Sequence, residues 1–107
     1  MISDERLEKA LRYLSGTDEE AAELKANVER TEYRAKATKA SVFAHLDGTV
    51  ADREARATTH EDVAKAFEAH FKAIRDYQAV ANKRALETLV VDVYRTISAN
   101  RRVGNVT

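Results

Sequence analysis

Residues 60–98 contain no glycine or proline, and this long uninterrupted stretch predicts a single helix. Its apolar side chains recur at steps of three and four residues, which place side chains on one face of a helix. They are Val63, Phe67, Phe71, Ile74, Tyr77, Ala81, Leu86, Leu89, Val90, Val93 and Ile97. Such a helix would be roughly 58 Å long, more than the width of a small domain. Its apolar face must therefore be covered by the rest of the chain or by other copies.

A second long helix is predicted over residues 17–46, which contain no residue that breaks helices. Its seam alternates steps of four and three residues, the spacing of a helix packed along another helix. The seam consists of Leu24, Val28, Thr31, Ala35, Thr38, Val42 and His45. Because several of these side chains are small, we expect the second helix to approach the long helix closely.

Capping signals predict where the helices begin. Ser3 and Thr49 precede acidic first turns, and Thr17 stands three residues before Glu20, the spacing of a capping box. The predicted helices span residues 4–14, 17–46, 50–57 and 60–98. Residues 100–107 lose the apolar period and are predicted to be a mobile basic tail.

The predicted fold class is all-α, a single helical domain over residues 1–107. It is a long antiparallel helical hairpin with a short N-terminal helix and a short connector helix. The helical spacing of opposite charges also predicts exposed ion pairs, each worth a few tenths of a kcal/mol. These pairs are Glu5–Lys9, Glu8–Arg12, Glu32–Lys36, Asp52–Arg56, Glu61–Lys65 and Glu68–Lys72.

Composition excludes several classes of protein. The chain has no cysteine, which removes disulfide scaffolds and thiolate metal sites. Its 18 basic and 18 acidic side chains cancel, so the molecule lacks the overall field of a strongly basic nucleic-acid binder. No apolar run reaches the length of a membrane span, and the N-terminus lacks the regions of a signal peptide. We therefore expect a cytoplasmic protein with no membrane partner.

No constellation of residues predicts catalysis or metal binding. His45, His60 and His70 lack the spacing of helical metal sites, so no metal and no cofactor is expected. The serines lie within or at the ends of helices, and the chain has no nucleophile elbow or glycine-rich phosphate loop. The sequence therefore predicts no catalytic residue, no enzyme activity and no small-molecule substrate.

One local charge bias stands out. The segment 25–39 carries five basic and two acidic side chains, a net charge of +3, and further arginines follow in the connector and in the tail. Such clusters contact phosphates, and an aromatic side chain such as Tyr33 can stack on unpaired bases. The candidate nucleic-acid-binding residues are Arg34, Lys36, Lys39, Arg53, Arg56, Arg101 and Arg102. The competing interpretation is a solvated helix surface, because Lys and Arg are common on long helices.

The order of these parts resembles the UvsY-type recombination mediators of phages. The resemblance lies in the basic helix at 32–40, the charged connector at 48–57 and the long helix ending in arginine-rich sequence at 94–102. It implies an oligomer that binds single-stranded DNA and helps to load a recombinase onto strands coated by single-strand-binding protein. Within it, Lys36, Lys39, Arg53 and Arg56 are the candidates for phosphate contacts.

The uncovered part of the long apolar face predicts a homo-oligomer. The side chains expected to divide between the intrachain core and the subunit interface are Phe67, Phe71, Ile74, Leu89, Val93 and Ile97. The alternative function is a helical protein–protein interaction module, such as a phage regulator or inhibitor of a host protein, that binds no nucleic acid. A neutral helical surface suits that alternative as well.

Overall fold

The computed structural model describes residues 1–106 and consists of four helices. They are α1 (Asp4–Gly16), α2 (Asp18–His45), α3 (Val50–Thr59) and α4 (Glu61–Val106). The described residues contain no strand, so the all-α prediction is confirmed. The architecture is also as predicted: α2 and α4 are the long antiparallel helices of a hairpin, α1 is the short N-terminal helix, and α3 is the connector.

The chain divides into two compact units. The first unit comprises Met1–Ala21 and the described part of Ala79–Thr107, and the second unit comprises Ala22–Gln78. The predicted single domain over residues 1–107 is not tested by this division and stays a prediction.

In the first unit, α1 runs antiparallel to the last part of α4. Two contacts show this direction. Near the start of α1, the Tyr94 hydroxyl donates to Asp4 Oδ1 at 2.5 Å; near its end, Arg84 Nη1, ten residues earlier on α4, donates to the Leu14 carbonyl at 2.7 Å. The bond to Asp4 raises the pKa of Tyr94 above its ordinary value. The buried apolar side chains of this unit are Ala10 and Val91.

A bidentate ion pair joins the two helices in the middle of the first unit. Arg6 Nη2 donates to Glu87 Oε1 at 2.8 Å, and Arg6 Nη1 lies 2.7 Å from Glu87 Oε2, although this second contact lacks the alignment of a hydrogen bond. The bond from Arg6 lowers the pKa of the Glu87 carboxyl. Glu87 is therefore ionised at neutral pH, and it is buried against an arginine whose side chain remains 36% exposed.

Arg84 completes the C-terminal end of α1. Its guanidinium donates to the Leu14 carbonyl and to Thr17 Oγ1, each at 2.7 Å, and to Asp18 Oδ1 at 3.3 Å. The last turn of α1 has no basic residue of its own. Arg84 thus supplies from α4 the cation that favours the negative end of the α1 dipole and satisfies one of its terminal carbonyls.

We expect Arg84→Ala to lower the free energy of unfolding by about 1.5–3 kcal/mol, because several charge-assisted hydrogen bonds are lost and a helix end loses its cation. Urea unfolding followed by circular dichroism measures the change. The matched control is Arg95→Ala, since the side chain of Arg95 is exposed on the same helix and its guanidinium has no hydrogen bond or ion pair with any described residue. Equal midpoints for the two variants would contradict the role assigned to Arg84.

In the second unit, a core of small side chains lies between α2, α3 and the first part of α4. Its buried residues are Thr31, Ala35, Ala57, Val63 and Ala73. The Thr31 hydroxyl donates to the Asn27 carbonyl at 2.8 Å and lies 3.1 Å from His70 Nδ1, so the one polar side chain of this core is satisfied. Because the buried side chains are small, the packing depends on close approach of the helices more than on apolar bulk.

Three local predictions are wrong. The long helix does not end at residue 98 but continues through Val106; extending an existing helix is inexpensive, and Gly104 alone costs only about 1 kcal/mol. The predicted mobility of the basic tail 100–107 stays a prediction, and Thr107 lies outside the described residues. Thr17 does not form a capping box, because its backbone amide continues the bonding of α1 to the Tyr13 carbonyl, and its hydroxyl bonds there too. His45, placed in the α2 seam, is exposed.

Candidate nucleic-acid interface

Five of the seven candidate nucleic-acid-binding residues belong to the second unit. Arg34, Lys36 and Lys39 lie on α2, and Arg53 and Arg56 lie on α3. The structure brings α3 against the end of α2 by direct contacts from Lys39 and Arg53. The basic residues of the helix and of the connector therefore share one end of this unit.

A shallow groove opens between α2 and α3. It has a volume of about 300 Å³ and is lined by Lys36, Lys39, Ala40, Phe43 and Glu54. Its surface is mostly apolar, supplied by Ala40 and Phe43 and by the aliphatic stems of the lysines. Ala40, Phe43 and Glu54 are the members that sequence reasoning missed.

Both lysines of the groove carry a carboxylate partner. Lys36 Nζ lies 2.8 Å from Glu32 Oε1, and Lys39 Nζ lies 2.6 Å from Glu54 Oε1. The bond from Lys36 lowers the pKa of the Glu32 carboxyl below its ordinary value. The charge at the groove is consequently balanced within the chain, by ion pairs that remain accessible to water.

Arg53 holds the connector to the end of α2. Its guanidinium carbon lies 4.1 Å from the centroid of the Phe43 ring, and Nη2 and Nε donate to the Phe43 carbonyl at 3.2 and 3.4 Å. That carbonyl is in the last turn of α2, where a cation is favoured by the helix dipole. Arg53 is half-buried, and these contacts give it a structural role.

Arg56 closes the turn between α2 and α3. It donates to Asp52 Oδ2 at 3.0 Å and also to the Asp47 carbonyl. Gly48 between them has φ +118°, and a Cβ there would lie 3.0 Å from Asp52 Oδ2, so the turn requires glycine. The side chains of Arg53 and Arg56 thus make more structural contacts than those of the candidates on α2.

Arg34 differs from the other four candidates of the second unit, because its side chain is exposed and the guanidinium has no ion pair or hydrogen bond with any described residue. Its neighbour Tyr33 is 75% exposed. Tyr33 also begins a row that shares one face of α2 by steps of three, four and three residues, which we call the α2 row: Tyr33, Lys36, Ala40 and Phe43. An exposed aromatic ring therefore lies on the face of α2 that leads to the groove, whereas Arg34 lies on another face of the helix.

Arg101 and Arg102 belong to the first unit and lie in the last turns of α4. Arg101 Nη2 lies 2.9 Å from the Met1 sulfur, and both arginines are exposed. The structure gives Arg102 no ion pair with any described residue.

The predicted interface residues divide between the two units. In the second unit, Phe71 and Ile74 are 45% and 39% exposed, and Phe67 is half-buried. In the first unit, Leu89 and Val93 are 57% and 38% exposed, and Ile97 is half-buried. Sequence reasoning did not assign Leu86 to the interface, although Leu86 belongs to the apolar period of α4 and is 56% exposed.

Other kinds of site are absent from the described part of the chain. Residues 1–106 contain no group of three histidine or acidic side chains that could hold a metal ion. None of their helices has the length and apolar character needed to cross a membrane.

No model of a known protein family matches this chain, and no curated protein or solved structure matches it either. The resemblance to UvsY-type mediators therefore remains a hypothesis based on the order of the parts.

Proposed function

We propose that this chain is a non-enzymatic accessory protein of phage DNA recombination or replication that binds single-stranded DNA as a homo-oligomer and assists the loading of a recombinase. The observation that carries the proposal is the exposed surface of α2, where Tyr33 and Lys36 lie three residues apart on one face and Lys39 lines the adjoining groove. An aromatic side chain next to cations is the combination that binds unpaired bases and their phosphates.

The balanced charge of the chain fits binding by an oligomer. One copy offers a local excess of +3 over residues 25–39 within a neutral molecule, so a single copy should bind DNA weakly. Several copies on one strand raise the effective concentration of each site and add their weak contacts. A recombinase or a single-strand-binding protein is the protein partner that this function requires.

We expect the protein to bind a fluorescently labelled oligonucleotide, with an affinity that falls steeply as salt rises. The variant in which Arg34, Lys36 and Lys39 are replaced by alanine should bind more weakly and flatten the slope of log K against log salt by up to about 0.7 per lost phosphate contact. Arg53 and Arg56 are left intact, because their contacts hold the connector. Fluorescence anisotropy at several salt concentrations measures both effects.

The matched control replaces Lys65, Lys72 and Arg75 by alanine. These residues are exposed on α4 in the same unit, so the same net charge is removed elsewhere. The control should retain more affinity than the α2 variant. Equal losses in the two triple variants would place the DNA contacts away from this part of α2.

The second candidate function is a protein–protein interaction module that binds no nucleic acid. It is favoured by the carboxylate partners of Lys36, Lys39 and Arg56, which leave little free positive charge, and by the exposed apolar side chains of α4. A wild-type protein that ignores single-stranded DNA even at low salt would support this module and exclude the DNA-binding proposal.

A further inference from the structure

We propose that the groove and the α2 row form a site for unpaired bases of one DNA strand. One base packs against Phe43 in the groove, another stacks on Tyr33, and the phosphates between them contact Lys36 and Lys39. This inference rests on the proposed function, because it names the part of the strand that the second unit holds.

The shape and polarity of the groove favour a base over a phosphate alone. A volume of about 300 Å³ is at the small end of ligand sites, and it is mostly lined by apolar surface from Ala40, Phe43 and lysine stems. A phosphate would gain nothing from such a surface, whereas the flat face of a base gains from burial against an aromatic ring. The base of a paired strand is already stacked within its duplex, which leaves single strands as the ligand.

The geometry of the α2 row matches a strand that runs along the helix. Tyr33 and Phe43 are ten residues apart on one face of α2, a rise of about 15 Å, which corresponds to a few nucleotides. Lys36 lies between them in the row, and Lys39 lies on the rim of the groove. Aromatic side chains at both ends with cations between them repeat the alternation of bases and phosphates in the strand.

The lysines can exchange their partners for phosphates at little cost. The side chains of Lys36 and Glu32 are 70% and 46% exposed, and those of Lys39 and Glu54 are 33% and 54% exposed. Ion pairs this accessible to water contribute little to stability. After exchange, however, the carboxylates of Glu32 and Glu54 stay near the strand and repel it. These carboxylates therefore compete with the phosphates for the lysines, and removing a carboxylate should strengthen binding.

The test compares two single strands of equal length and charge: a thymidine oligonucleotide and an oligonucleotide of abasic sites. Wild type should bind the thymidine strand at least about fivefold more tightly, because only that strand can stack. Tyr33→Leu and Phe43→Leu should each reduce this ratio. Tyr77→Leu makes the same substitution as Tyr33→Leu at a half-buried position of α4 in the same unit, outside the groove; it is the matched control and should leave the ratio unchanged.

A second arm uses a gain of affinity, which damage to the fold would not produce. Glu54→Gln should bind the thymidine strand about two- to fivefold more tightly than wild type, since Lys39 loses its competing carboxylate. Glu68→Gln removes the same charge from an exposed position of the same unit and is the control. Helix content from circular dichroism shows that each variant is folded.

Each outcome separates this inference from the proposed function. If neither strand binds wild type at low salt, the proposed function and this inference both fail. If both strands bind equally, or if the thymidine preference survives Tyr33→Leu and Phe43→Leu, the protein binds DNA but the bases do not use this site. If Glu54→Gln and Glu68→Gln bind alike, the phosphate contact assigned to Lys39 is wrong.

Discussion

Wild-type protein at tens of micromolar should have the mass of a homo-oligomer, and Leu89→Glu should reduce that mass towards the 12.0 kDa of one chain. The reason is the imbalance between buried and exposed apolar groups in the first unit. Its buried apolar side chains are Ala10 and Val91, whereas Leu86 and Leu89 remain 56% and 57% exposed. Burying a leucine in a subunit interface contributes about 1.5–3 kcal/mol relative to exposure.

Three exposed apolar side chains of α4 in the first unit lie on one face, because Leu86, Leu89 and Val93 follow each other at steps of three and four residues. A contiguous apolar face of this kind normally marks an interface. A glutamate at its centre would have to bury an unpaired charge, which costs far more than the loss of one leucine. Size-exclusion chromatography with light scattering measures the mass.

The control is Thr88→Glu, which adds the same charge one residue away from Leu89 and off the apolar face, at an exposed position. It should keep the wild-type mass. A wild-type mass of 12.0 kDa would contradict the assembly and with it the oligomeric part of the proposed function. A variant Leu89→Glu that keeps the wild-type mass would place the interface elsewhere, with Phe71 and Ile74 in the second unit as the next residues to test.

Much of the fold could be predicted because it follows from local rules. The caps at Ser3 and Thr49 are present, with the side chains accepting from the amides of Arg6 at 3.0 Å and Asp52 at 3.2 Å. The seam of α2 is also confirmed around Thr31 and Ala35, which are buried. Caps and helical period depend on residues a few positions apart, so both can be predicted from the sequence alone.

Ion pairs show where local rules stop. The predicted pairs Glu8–Arg12, Glu32–Lys36, Asp52–Arg56 and Glu61–Lys65 are present. Lys72, however, pairs with Asp76 at 2.7 Å instead of Glu68, because carboxylates lie four residues away on both sides and the spacing does not choose between them. The contacts of Arg6 with Glu87 and of Arg84 with α1 join residues far apart in sequence, and no spacing rule predicts them.

The candidate site was predictable only in part, for a similar reason. The positive bias of α2 is visible in the sequence, and so is Tyr33. The groove depends on Glu54 of α3 meeting Lys39 of α2, a contact that exists only once the turn at Gly48 has folded α3 back. The contact of the Arg53 guanidinium with the Phe43 ring also forms only once α3 has folded back. The count of charges along the sequence thus identifies the basic part of α2. The structure is needed to distinguish the cations that are available for binding from those that hold the connector.

Ala35→Leu should destabilise the second unit more than any other single conservative change on α2. Ala35 is 0% exposed within a core of small side chains, so a leucine has no space and must push the helices apart. Overpacking of this kind typically costs about 1–3 kcal/mol, which lowers the melting midpoint of a chain this size by about 4 °C or more. Thermal unfolding followed by circular dichroism measures the shift.

Ala37→Leu is the matched control, because it makes the same substitution two residues away at an exposed position of the same helix. Alanine and leucine have similar helix propensities, so the control should melt close to wild type. The difference between the two variants then reports the space around Ala35 alone. If both variants melt at the wild-type midpoint, α2 is not held by close approach at Ala35, and the stability of the second unit must come from its connector contacts at Lys39 and Arg53 instead.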